Sequence, residues 1–121
     1  MKKAQLAVKK YLEERKWDKN DPADIAKSII IESAELLELF QWKTFSRKQI
    51  QKDQVVLEQL KGELADICIY SLGMAISLDL DIEKVILDKL AKIKAKYPVK
   101  EIRKGHTQYL KIKKEHRRNH A

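Results

Sequence analysis

Two pairs of acidic residues interrupt apolar, helix-like sequence. Glu32 and Glu35 are three residues apart in the first pair, and Glu63 and Asp66 are three apart in the second. Residues at positions i and i+3 lie on the same side of a helix, so each pair presents two carboxylates from one stripe. Four like charges in an apolar interior are very unfavourable unless protons or a cation compensate for them. A set of oxygen ligands favours Mg²⁺, or alternatively Mn²⁺, over zinc and copper.

Other interpretations of the acidic pairs stay open at this point. A single Glu-x-x-Glu pair is common on solvated helix faces and is usually structural. Two such pairs, each embedded in apolar helix, leave a structural role and a metal site about evenly matched. Di-iron carboxylate bundles also gather acids in a four-helix core, but they use Glu-x-x-His pairs. The histidines His106, His116 and His120 all lie in the C-terminal tail, which disfavours the di-iron class.

Helices must position these acids, because apolar residues recur at intervals of three and four through most of the chain. Asp21-Pro22 is typical of a helix start, Ser46 can cap a short turn, and Tyr97-Pro98 ends the last long helix. We expect an all-α fold, a four-helix bundle, with helices over residues 2–16, 22–41, 53–78 and 81–96. The expected division is a catalytic domain over 1–98 and a basic extension over 99–121, whose last ten residues we expect to be loose.

Composition excludes several classes of protein. The 121 residues include only 3 Gly and 2 Pro, too few for the turns of an all-β fold. The single cysteine, Cys68, cannot form a disulfide within the chain. No apolar run approaches the roughly 18 residues of a membrane span, and no signal peptide is visible after Met1. We therefore expect a cytoplasmic protein that does not enter membranes.

The formal charge of +8 is unevenly distributed. Residues 89–121 hold 12 basic and 2 acidic side chains, whereas residues 1–88 hold 14 and 16. The basic third favours an alternative function, a helical module that binds nucleic acid through its phosphates. That alternative leaves the four interior acids unexplained, so we do not expect nucleic acid to be the main partner. A helical interaction protein without activity is a further alternative.

The residues around the acidic pairs resemble the MazG-like, all-α nucleoside triphosphate pyrophosphohydrolases, which include the dCTP pyrophosphatases. The similar segments are IESAELLELFQWK at 31–43, GELADICIY at 62–70 and KYPV at 96–99. The resemblance covers roughly residues 12–105. It implies that Glu32, Glu35, Glu63 and Asp66 hold Mg²⁺ and act in catalysis. It further implies cleavage of a nucleoside triphosphate, a surplus or modified deoxynucleotide, to monophosphate and pyrophosphate, by a homo-oligomer (a dimer or a tetramer).

Candidate substrate-binding residues follow from the same segments and from residue chemistry. Trp17 and Trp42 flank the second helix and can stack on a base, Lys43 follows Trp42, and Tyr70 lies one turn after Asp66. Lys89 and Lys96 belong to a basic stripe that can attract a triphosphate. The chain departs from the family pattern at Ile93, where many members have Asn, and in residues 17–21, where many have His. Both departures concern the preferred base.

Overall fold

A computed structural model describes residues 2–120. Apolar residues at helical spacing lie in most of its elements. The described residues contain seven helices and no strand. They are α1 (Lys2–Glu14), α2 (Pro22–Glu38), α3 (Arg47–Lys52), α4 (Gln54–Ser77), α5 (Ile82–Lys96), α6 (Val99–Ile102) and α7 (His106–Asn119). The all-α expectation is confirmed. None of these helices combines the length and the apolar character that crossing a lipid bilayer requires.

The structure differs from the sequence-based expectation in three places. Helix α2 ends at Glu38, before the expected Gln41, and an extra helix, α3, precedes α4. The expectation of a loose C-terminus was wrong, because α7 continues to Asn119. Lys, Arg, Glu and Gln have high helix propensity even where a segment has too few apolar residues to form a core.

The chain forms two units, of which unit 1 ends at Ile82 and unit 2 begins at Glu83. In unit 1 the most extensive packing is between α2 and α4, and α1 and α3 both contact α4. Its core is small and centres on Ile25, Leu72, Ala75 and Ile76, each less than a tenth exposed. Helix α4 is therefore the central element on which the other three helices of unit 1 rest.

Helix caps fix where α3 and α4 begin. The Ser46 hydroxyl accepts a hydrogen bond from the Gln49 backbone N–H, and the Gln49 side chain accepts one from Ser46, which makes a capping box. Asp53 Oδ1 accepts from the backbone N–H groups of Val55 and Val56 at 3.1 and 3.2 Å. These bonds satisfy N–H groups that have no partner within the helix. They also fix the point from which α4 carries its acidic pair towards α2.

Left-handed residues end α1 and α4. Lys16 has a φ of 59° and Asp79 a φ of 55°, conformations that only glycine adopts without steric cost. At the end of α1, the Trp17 N–H donates to the Leu12 carbonyl at 2.9 Å, and the Lys16 N–H donates to the Glu13 carbonyl. This bonding pattern is a Schellman motif. It turns the chain sharply and sets the direction in which Trp17 leaves the helix.

Unit 2 contains almost all of α5 and the whole of α6 and α7. Pro98 separates α5 from α6, and Gly105, with a φ of 118°, separates α6 from α7. The rings of Tyr97 and Tyr109 approach to 5.1 Å between centroids, and His106 stacks on Tyr109 at 5.8 Å. These aromatic contacts hold one side of α7 against the end of α5.

Candidate metal centre and adjoining cavity

Packing of α2 against α4 brings three carboxylates of the two acidic pairs together. Each of Glu32, Glu63 and Asp66 offers one oxygen, and these three oxygens all lie within 4.8 Å of one another. Glu32 and Glu63 are half-buried and Asp66 is exposed. The carboxylates thus converge from two helices at a place that is partly shielded from water but open on the Asp66 side.

Two buried oxygens of this cluster have no hydrogen-bond partner within residues 2–120. The Oε2 atoms of Glu32 and Glu63 are both buried, and neither has a hydrogen-bond partner among the described residues. A buried acceptor without a partner costs about 1–3 kcal/mol, and more when it is charged. Two such atoms on neighbouring carboxylates indicate that a group absent from the polypeptide completes the site.

The fourth predicted acid, Glu35, lies between the other glutamates. A hydrogen bond with Glu35 is the main cause that raises the pKa of Glu32, followed by burial and by the nearby charges of Glu35, Asp66 and Glu63. For Glu63, burial is the main cause of a raised pKa, followed by a hydrogen bond with Glu35 and by charges that include Glu38. Glu35 therefore adjoins the three converging acids, and its hydrogen bonds, burial and the repulsion among the carboxylates together raise the pKa of Glu32 and Glu63.

A divalent cation fits this donor set. All the convergent atoms are carboxylate oxygens, which Mg²⁺ and Mn²⁺ prefer, and the unpartnered buried oxygens need a positive partner. None of the three histidines belongs to the cluster formed by the described residues. Glu32, Glu63 and Asp66 would hold the cation, with Glu35 next to two of these ligands.

A cavity of about 710 Å³ adjoins the carboxylates, and Asp66 lines it. This volume is within the range of roughly 300–1,000 Å³ that is typical of small-molecule sites. Its walls come from α1, α2 and α4 and are mainly apolar. The aromatic lining residues are Tyr11, Trp17 and Tyr70, and the polar ones, besides Asp66, are Asn20, Asp24 and Ser28. A ligand with a flat, partly apolar body and an anionic end suits this arrangement, because the body fits the cavity and the end reaches the cation ligands.

The Trp17 ring is held by its neighbours at the cavity wall. It meets the Tyr11 ring edge-on at 6.3 Å between centroids, and the Arg15 guanidinium lies 3.9 Å above the same Tyr11 ring. Trp17 stays half exposed, at 49%. The Schellman turn and the Tyr11 contact thus present one indole to the cavity while leaving it accessible to a ligand.

The other predicted substrate residues are not among those that line this cavity. Trp42 is 89% exposed, and the Lys43 ammonium lies 5.0 Å from the Phe45 ring centroid, beside a different cavity near the start of α4. Lys89 and Lys96 belong to unit 2, where their charges help to lower the pKa of His116, after burial and the charge of His120. Of the predicted substrate residues, only Trp17 and Tyr70 line the cavity next to Asp66.

Four lining residues were missed by the sequence analysis as site residues: Tyr11, Asn20, Asp24 and Ser28. Asp24 and Ser28 are four residues apart on α2 and therefore share one helix face, whereas Asn20 lies in the loop before the helix. The polar pair on α2 is a signal that could have identified Asp24 and Ser28. Tyr11 gave no such signal, because an aromatic residue on an amphipathic helix is usually part of the core.

Comparisons with known proteins agree with this geometry. The model of the MazG-like family matches residues 27–112. The dCTP pyrophosphatase 1 of Rattus norvegicus is 29% identical over 94 residues, which are 74% of this chain and 54% of the relative. The dCTP pyrophosphatase 1 of Homo sapiens is 27% identical over 107 residues, 84% of this chain and 61% of the relative. The chain therefore spans little more than half the length of these curated relatives.

A solved structure is also similar. The crystal structure of a pyrophosphatase from Archaeoglobus fulgidus is 30% identical and has a TM-score of 0.64. The match covers 76% of this chain and 86% of that one. The likeness therefore extends over most of both chains.

The carboxylate cluster predicts opposite effects of one substitution with and without metal. In EDTA at pH 7.5, Glu63→Gln should raise the melting temperature, because it removes a charge from a repulsive cluster. With millimolar Mg²⁺, the wild type should gain stability by mass action and Glu63→Gln should gain little. Differential scanning fluorimetry measures both effects. Glu58→Gln is the matched control, because Glu58 is on the same helix but pairs with Lys61 at the surface.

The advantage of Glu63→Gln in EDTA should shrink as the pH falls. A raised pKa means that the folded protein holds these protons more tightly than the unfolded chain does. The stability contributed by protonated Glu32 and Glu63 is complete below their ordinary value of 4.5 and is lost as the pH rises through the folded-state pKa values. Equal melting temperatures for wild type and variant in EDTA at pH 7.5, with no Mg²⁺ effect, would contradict a preformed site.

Proposed function

Because this chain belongs to the MazG-like family, we propose that it is a nucleoside triphosphate pyrophosphohydrolase that depends on Mg²⁺, or alternatively on Mn²⁺. The proposed products are a nucleoside monophosphate and pyrophosphate. The proposal rests on Asp66, which belongs to the carboxylate cluster and also lines the cavity. We take the catalytic domain to be residues 1–98, with 99–121 as an extension, in a cytoplasmic protein.

The cavity accounts for binding of the nucleoside. A base has two flat π-faces, and stacking on an aromatic ring contributes about 1–3 kcal/mol per base. Trp17 and Tyr70 supply such rings, while Asn20, Asp24 and Ser28 supply groups that can bond polar edges of a base or sugar. With the nucleoside in the cavity, the phosphates extend past Asp66 towards the other carboxylates. We propose a deoxynucleotide, either surplus or modified, as the substrate, as in relatives named for dCTP.

The acids have separate roles in this proposal. Glu32, Glu63 and Asp66 would hold the cation, which when bound neutralises phosphate charge, polarises the α-phosphorus and lowers the pKa of a water. Glu35 is a near neighbour of Glu32 and Glu63 and contributes to the raised pKa of each of them. It does not belong to the group of three converging carboxylates, so we propose that it orients the attacking water.

Pyrophosphate release is the direct test. We expect a panel of standard and modified (d)NTPs, with Mg²⁺ or Mn²⁺, to include a substrate that yields pyrophosphate and a monophosphate. EDTA and Glu63→Gln should each lower kcat/KM by at least about a hundredfold, since each removes part of the charge stabilisation. The matched Glu58→Gln should retain activity. Release of inorganic phosphate instead of pyrophosphate, or no turnover of any nucleotide, would refute the proposal.

Trp17 tests the assignment of the cavity. Trp17→Ala should raise KM about tenfold, the effect of losing roughly 1–3 kcal/mol of stacking, with a smaller change in kcat because the acids are untouched. Trp17→Phe keeps a ring at the same place and should restore most of the affinity. Steady-state kinetics with the best substrate of the panel give both constants. An unchanged KM for Trp17→Ala would exclude this cavity as the base site.

The outer side of α2 supports a homo-oligomer. Ile30 and Leu37 are each 69% exposed, and with the exposed Ala34 between them they follow the spacing of one helix face. Exposed apolar residues in a row mark interaction surfaces more often than single ones do. We propose that a second copy of the chain covers this face, as a dimer or as part of a tetramer.

Light scattering coupled to size exclusion tests this arrangement. The wild type should elute as a dimer or tetramer, and Leu37→Glu should shift it towards the monomer, because association would bury the new charge. Val55→Glu is the control, since Val55 is equally exposed, at 69%, but lies at the start of α4. A monomeric wild type, or an unchanged mass for Leu37→Glu, would contradict this interface.

A further inference from the structure

Helix α7 sorts its residues into two faces. The half-buried side chains are Gln108, Tyr109, Ile112, Lys113 and His116. They form one face because they recur at intervals of three and four. Stacking of Tyr109 on Tyr97 directs this inner face towards the end of α5. The opposite side of α7 is exposed.

The exposed side carries four cations. We call it the outer face of α7, and its basic residues are Lys111, Lys114, Arg117 and Arg118. Lys111, Lys114 and Arg118 follow one stripe at intervals of three and four, and Arg117 flanks it. An irregular tail would scatter these charges, whereas the helix collects them on one side.

Two acidic residues of unit 2 are engaged elsewhere, whereas Glu115 is exposed on α7 itself, beside the basic stripe. Glu101 binds Lys104 at 3.0 Å and accepts a hydrogen bond from Gln108, and Asp88 pairs with Lys84 at 2.7 Å. Within residues 2–120, none of the four outer-face cations takes part in an ion pair with a carboxylate. Glu115 offsets one of these four charges, and the repulsion that remains on this face is relieved by solvent ions or by an anionic partner.

The geometry points to a nucleic acid as that partner: we propose that the outer face of α7 binds the phosphodiester backbone of DNA or RNA. The stripe from Lys111 to Arg118 spans about 10 Å at 1.5 Å per residue. Duplex DNA presents one negative charge per roughly 1.7 Å of axis, so several phosphates lie within reach of the four cations. This binding function is separate from nucleotide hydrolysis in unit 1.

A lipid surface fits the outer face less well. Helices that lie in a membrane interface need a broad apolar side to insert among the lipids. Leu110, half exposed, is the one large apolar residue on this side of α7, because Tyr109 and Ile112 belong to the inner face. Arg117 and Arg118 can each give bidentate bonds to phosphate oxygens.

The experiment measures binding of the full chain to fluorescently labelled 20-bp DNA and 20-nucleotide RNA by anisotropy, in EDTA and at several salt concentrations. Four phosphate contacts predict that log K falls with log salt with a slope of about −3.6 on duplex DNA, or roughly a hundredfold weaker binding between 50 and 200 mM salt. Phosphatidylserine vesicles and polyglutamate serve as competing anions.

A pair of matched variants tests the location of binding. Changing Lys111, Lys114, Arg117 and Arg118 to Gln should abolish most of the binding and flatten the salt dependence. Changing Lys3, Lys10, Lys19 and Lys48 to Gln removes the same charge from unit 1 and should leave most of the binding. Gln has a helix propensity close to that of Lys and Arg, and circular dichroism checks that α7 persists.

Three outcomes would overturn the proposal: no binding at 50 mM salt, equal losses in the two variants, or vesicles or polyglutamate competing as well as nucleic acid does. Hydrolysis of the best nucleotide should be unchanged in the α7 variant. The two proposals therefore fail separately, because absent hydrolysis leaves the binding result intact and absent binding leaves the hydrolysis result intact.

Discussion

Repulsion among carboxylates between α2 and α4 is the constraint on which the rest of the structure depends. The same helix pair provides the most extensive packing of unit 1, so it holds the charges together against their own repulsion. Burial of Glu32 and Glu63 without donors makes the metal-free state costly. A protein of this size, with four core residues less than a tenth exposed, has little stability to spare. A cation bound at this cluster would therefore stabilise the folded state.

The cavity depends on the same helix pair and on one turn. Asp66 is exposed, unlike Glu32 and Glu63, and it lines the cavity. The left-handed Lys16 ends α1 and places Trp17 at the cavity wall. A nucleoside held there would lie beside Asp66. The turn at Lys16 thus positions one wall of the cavity.

The sequence predicted the parts of the site that depend on a single helix. Each acidic pair could be recognised because its two members share one face and lie among apolar neighbours. The cavity as a whole could not be recognised, since Tyr11 comes from α1, Asn20 from the loop before α2 and Ser28 from α2. Similarity of the surrounding segment predicted that Trp42 binds the base, but Trp42 is 89% exposed and does not line the cavity. The spacing of residues within one helix does not show which distant segments of the chain pack together.

The basic tail shows why charge alone predicted too little. Only the last ten residues were expected to be loose, because the ends of a chain are seldom tied down, yet the aromatic contact between Tyr97 and Tyr109 anchors the start of α7. Once that first turn is fixed, residues of high helix propensity extend the helix at low cost, since nucleation is the expensive step. Helix formation then converts a run of cations into one ordered face. The charge of the tail thereby acquires a direction and a spacing, which are the properties that recognition of a regular array of phosphates requires.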